Sequence, residues 1–123
     1  MSTNIFFRGD AETDSLIDCD DNYIQQFVSR NIDNKTIHVP KKLYLCLPPT
    51  FADTPLEKKY KILIKTNGSI KVGLLFRKII KGYTKIWGKL LGVHSTIDRF
   101  IIYGMYIDNK NNLVYAHTKH KLF

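Results

Sequence analysis

Apolar and polar positions separate most completely in residues 71–91. At about 100° per residue, Val72, Leu75, Phe76, Ile79, Ile80, Tyr83, Ile86, Trp87, Leu90 and Leu91 share one arc of roughly 160°. Lys71, Arg77, Lys78, Lys81, Lys85 and Lys89 fall on the other, and no acid interrupts the run. The spacing predicts a long amphipathic helix with a purely basic outer face. Gly82 and Gly88 each cost ~1 kcal/mol relative to alanine in a helix interior, so a bend or early end near Gly88 is expected. Ser69 is the candidate N-cap and Gly92 the candidate stop.

Upstream, Asp20 and Asp21 precede Tyr23, Ile24, Phe27 and Val28, spaced for one helical face. The aspartates suit a helix N-terminus by capping and by the dipole, which predicts a helix near 21–30. A β-type run over 36–47 is interrupted by Pro40. Leu43, Leu45 and Leu47 alternate there with Tyr44 and Cys46, and Pro48-Pro49 ends it. Residues 59–65 alternate with Tyr60, Ile62 and Ile64 on one side and Lys59, Lys61 and Lys65 on the other, a half-buried strand with a basic exposed face. Asn67-Gly68 reads as a turn. Residues 100–107 form an apolar strand expected at the sheet centre, and 108–112 a hairpin loop before a returning strand over 113–118.

The expected fold class is therefore α+β: a small antiparallel sheet with one long basic amphipathic helix packed on one face and a short N-terminal helix. Residues 1–19 show no period and are expected as a flexible acidic leader, leaving 20–123 as a single domain.

At 123 residues the chain suits one domain, and 44% hydrophobic content excludes a disordered tail. Net charge is +8 and unevenly placed. Residues 1–36 hold seven acids and three bases, whereas 37–123 hold sixteen bases and four acids. An acidic leader before a basic body suggests a polyanion-binding surface that the leader could partly shield; the plainer reading is a solubilising tail.

Like charges at spacing four, as in Arg77/Lys81, Lys81/Lys85 and Lys85/Lys89, mildly destabilise a helix, so an unmixed basic face points to a polyanionic partner. The apolar stripe itself is expected to be core. Lys71, Arg77, Lys78, Lys81, Lys85 and Lys89 are the main candidate contacts, with Lys59, Lys61 and Lys65 extending the patch. The polyanion is an anionic lipid membrane or a nucleic acid. Trp87 and Tyr83 lie on the apolar arc, and a single-strand binder should show aromatics among its cations on an exposed face. That favours membrane or phosphate-backbone contact.

Other chemistry is thinly represented. Two cysteines, Cys19 and Cys46, make no disulfide framework and read as reduced thiols. His117 and His120 have no nearby carboxylate or cysteine, so no metal is expected. Asp18, Asp20 and Asp21 lack the glycine and terminal glutamate of a calcium loop. No phosphate loop, dinucleotide fingerprint or nucleophile elbow appears, so neither an enzyme nor a cofactor is expected. There is no apolar segment of signal-peptide or membrane-spanning length, so an intracellular protein that is not secreted is expected.

Residues 46–107 resemble the early part of the rhabdovirus matrix protein core. Pro48-Pro49-Thr50-Phe51 stands where that family carries a proline-rich short linear motif, with Phe51 in place of its tyrosine. The strand around Tyr60–Lys65, a turn and an amphipathic helix containing Trp87 follow in the family's order. The resemblance also fits a small matrix-like accessory protein. It implies a non-enzymatic viral protein that meets the inner membrane leaflet and the nucleocapsid, self-associates during virion assembly, or acts on the host cell. Nucleic-acid binding by the basic helix is one alternative. A host-protein interaction module recruiting through the acidic leader or the Pro48–Phe51 loop is another.

Overall fold

A computed structural model describes residues 2–10, 12–14, 21–46, 61–90 and 100–120, without the side chains of 10, 13–14, 86–90, 100 and 120. The strands are β1 (Ser2–Phe6), β2 (Thr13–Asp14), β3 (Thr36–His38), β4 (Lys42–Leu45), β5 (Ile62–Lys65), β6 (Ser69–Lys71), β7 (Phe100–Asp108) and β8 (Leu113–His120). The helices are α1 (Asp21–Asn31) and α2 (Val72–Leu90), with a short 3-10 turn at Arg8–Asp10.

The expected antiparallel α+β arrangement is corrected. The main sheet is mixed, in the order β1-β7-β8-β4-β5, with β2 also on β7. Its β4–β8 pair is parallel, and β3 and β6 form a separate two-stranded sheet. Strands, not the helix, dominate this α/β fold. A second correction concerns the leader. Ser2–Phe6 pairs antiparallel with Asp108–Gly104, and Thr13–Asp14 with Ile102–Ile101, so much of the expected flexible segment is built into the sheet. Residues 15–20 lie outside the described set.

β7 is an interior strand, paired with β1 and β2 on one edge and β8 on the other, while β8 rather than β7 holds the middle of the order. Both helices cover one face. Val72, Leu75, Phe76, Ile79, Ile80 and Tyr83 of α2 are buried with Ile24 and Phe27 of α1. Each fully buried large aliphatic or aromatic side chain contributes ~1.5–3 kcal/mol. Phe7, Phe27 and Phe76 form a three-ring cluster with centroids 5.1–5.8 Å apart, tying the end of β1 to both helices. Gly82 lets α2 settle onto β4, because a Cβ there would collide with the Leu45 side chain.

The start of α2 is capped from a distance. Ser69 lies in β6, and the orphan amides find partners in the segment after α1 instead. Val72 N–H donates to Lys35 O (2.9 Å) and Gly73 N–H to Asn34 Oδ1 (2.8 Å).

Tyr83 crosses from helix to sheet. Along the parallel β4–β8 pair, Tyr44 N–H donates to Asn112 O (2.8 Å) and Cys46 N–H to Val114 O (2.9 Å). The next rung would join Ala116 N–H to Cys46 O. The phenol occupies it: Tyr83 Oη donates to Cys46 O and accepts from Ala116 N–H, both at 2.9 Å. Complete burial pushes its ionisation well above the ordinary range, outweighing the lowering effect of the Ala116 amide.

Candidate polyanion-binding face

The first turn of α2 carries no acid, and Lys71 immediately precedes it, so the sequence provides nothing there to offset the helix dipole. Along the helix, Lys78, Lys81 and Lys85 are exposed at spacings of three and four, which place them on one side. Beyond them lies β5, the last strand of the main sheet. Its Ile64 is buried, while Leu63 and Lys65 face outward. Helix and strand enclose an open groove of about 380 Å³ lined by Ile62, Leu63, Ile64, Lys65, Lys78, Lys81, Gly82 and Lys85.

Four of the nine predicted cations thus converge: Lys65, Lys78, Lys81 and Lys85. Lys71 is exposed on β6 and Arg77 half-buried on α2, and neither lines the groove. Lys61 is half-buried, its Nζ 5.8 Å from the Tyr44 ring centroid, a cation–π contact. Lys89 lies within α2. Lys59 and the Pro48–Phe51 motif fall outside the described residues.

Among the described residues, the ion pairs are Arg8–Asp33 (3.8 Å) and Lys119–Glu12 (2.9 Å), and neither involves a groove lysine. Four ammonium groups around one concavity without a described carboxylate make a field that selects anions. The floor of Ile62, Leu63 and Ile64 is apolar and offers no nucleophile, acid or base. No three of the described His, Cys, Asp and Glu residues group as metal ligands.

Cys46 sits beneath this region, fully buried, with its thiol pushed up to about 11 by burial, against the opposing charge of Lys61. It is a packing residue, not a reactive one.

The exposed aromatics lie elsewhere. Inward-facing Ile102, Met105, Ile107, Val114 and Ala116 are buried under the helices, whereas Tyr103, Tyr106, Tyr115 and His117 are half-buried on the opposite face of the sheet. Phe6, 59% exposed, joins them from β1. A register shift between Ile102 and Gly104 puts Tyr103 and Tyr106 on the same face despite their odd spacing. Sequence reasoning missed this surface. The available signal was Tyr and His, rather than Leu or Val, at positions 103, 106, 115 and 117.

No described helix is long and apolar enough to cross a membrane. No protein-family profile, curated protein or solved structure matches the chain.

Proposed function

We propose that this chain is a non-enzymatic basic protein of matrix-like type that docks peripherally on anionic lipid surfaces through the α2–β5 face, at the cytoplasmic side of a membrane, and associates there with nucleocapsid. The observation that carries this reading is the groove in which Lys65, Lys78, Lys81 and Lys85 converge with no described acid to neutralise them.

Val72, Leu75, Phe76, Ile79, Ile80 and Tyr83 of α2 are consumed by the protein's own core, so docking through this part of the helix is electrostatic rather than insertive. Each cation near an anionic leaflet contributes ~1 kcal/mol. Four give ~4 kcal/mol, a dissociation constant near 1 mM, and three more from Lys61, Lys71 and Arg77 lower it to about 10 μM. A single copy therefore binds reversibly, and firm attachment comes from several copies engaging one surface.

Flotation with phosphatidylserine vesicles tests this. The protein should float with them, remain behind with neutral vesicles, and detach as salt is raised. The triple variant Lys78→Glu, Lys81→Glu, Lys85→Glu should stay at the bottom of the gradient while keeping the native circular dichroism spectrum. Flotation of that variant equal to the native protein's refutes the assignment. Loss of salt-sensitive nucleic-acid binding without any flotation of the native protein would assign the face to phosphate backbones instead.

A further inference from the structure

We infer that the outer face of the β1-β7-β8 sheet is a second binding site, a stacking platform for the bases of single-stranded nucleic acid, independent of the lysine groove. Phe6, Gly104 and His117 stand in one row across the three strands. Gly104 brings the two flanking rings together over the middle strand. A Cβ there would lie 3.0 Å from Phe6 Cδ1 and 3.3 Å from His117 Cδ2, and only 2.6 Å from the Ile5 carbonyl oxygen.

With that volume empty, the Phe6 and His117 centroids are 5.5 Å apart and their planes 15° from parallel. Tyr103 completes the set, 5.5 Å from His117 and 6.4 Å from Phe6, at 19° and 5°. The three rings thus lie in nearly parallel planes, offset-stacked against one another across the strands. Tyr106 and Tyr115 add a stacked pair at 4.9 Å toward the hairpin.

His117 is held from the side by Asn4, whose Oδ1 lies 2.8 Å from Nε2. Partial burial lowers its pKa, which favours the neutral ring for stacking. Lys119, ion-paired with Glu12 at 2.9 Å, stands at one end, its Nζ 5.7 Å from the Tyr103 centroid, and exposed Lys110 stands at the hairpin end, its amide bonded to Asp108.

The chemistry chooses the occupant. Unpaired bases present flat π-faces that aromatic side chains on a sheet accept without sequence preference. The outward ring positions are amphipathic tyrosines and a histidine rather than aliphatic residues. On a molecule of net charge +8, a second copy is repelled and a polyanion attracted. A base-paired duplex keeps its π-faces inside its own stack, so the platform discriminates for single strands.

Fluorescence anisotropy with a labelled oligouridylate of about 10 nucleotides, beside a duplex of equal length, tests the site. The single strand should bind more tightly than the duplex. Phe6→Ala and Tyr103→Ala should each weaken it by about 5- to 100-fold without changing its salt dependence, while Tyr103→Phe should retain it. The lysine triple variant should weaken both ligands yet keep the preference for the single strand, which separates this site from the membrane-docking face. Three results overturn the platform: equal affinity for both ligands, indifference to the ring substitutions, or a dimer in sedimentation equilibrium that Phe6→Ala dissolves.

Discussion

Replacing Tyr83 with phenylalanine removes one oxygen and leaves the ring in place. That oxygen serves two backbone groups at once, the Cys46 carbonyl and the Ala116 amide, at the point where β4 and β8 stop bonding each other directly. Both groups are buried. Leaving a buried donor or acceptor without a partner costs ~1–3 kcal/mol, so the pair costs about 2–5 kcal/mol if the strands stay apart. They cannot close to form the missing rung while the ring still stands between them.

A domain of this size is stable by only ~5–15 kcal/mol, so this one atom governs a large fraction of the total. Urea unfolding should show the midpoint falling by roughly 1–2.5 M, given a slope near 2 kcal/mol/M. Hydrogen exchange at the Ala116 amide should accelerate more than exchange elsewhere in β8. A midpoint shift under ~0.3 M, with Ala116 still protected, would refute the view that the phenol substitutes for a ladder bond.

Asn34→Ala should destabilise the protein by about 1 kcal/mol through loss of the Gly73 cap, measured by thermal melting, whereas Ser69→Ala should change little. In a Cys19→Ser background, Cys46 should resist iodoacetamide at pH 8 in the native state and react once urea is added, since burial raises its pKa to about 11. His117 is depressed by burial, so its contribution to stability is fully present above its unfolded pKa of ~6.5 and is lost as pH falls toward the lower native value. His117→Gln should flatten that part of the stability–pH curve.

The helices and the β7–β8 hairpin were legible because their signals are local: period 3.6 in α2, an apolar run in β7, and Asx-rich turn chemistry between β7 and β8. What escaped depends on partners distant in sequence. Ile5-Phe6-Phe7 breaks any clear alternation, and the strand it ends pairs with residues 104–108. The parallel β4–β8 contact leaves no mark on either strand, so alternation alone suggested an antiparallel sheet. Asn34 caps a helix that begins 38 residues later, at Val72, where only the neighbouring Ser69 offered a sequence candidate.

The groove was half visible. Lysine spacing gave the helix side of it, but only the fold brings β5 alongside. The aromatic face was hidden by the bulge, which shifts the phase of β7 between Ile102 and Gly104 and so defeats a period of two.

The pairing of β1 with β7 also sets a timetable for synthesis. The first strand leaves the ribosome with its adhesive edge bare and waits for roughly a hundred further residues before its mate emerges. Assembly of the sheet is consequently a late event, slow by virtue of its long-range topology. Until then β1 is a target for chaperones, or for the matching strand of a neighbouring chain.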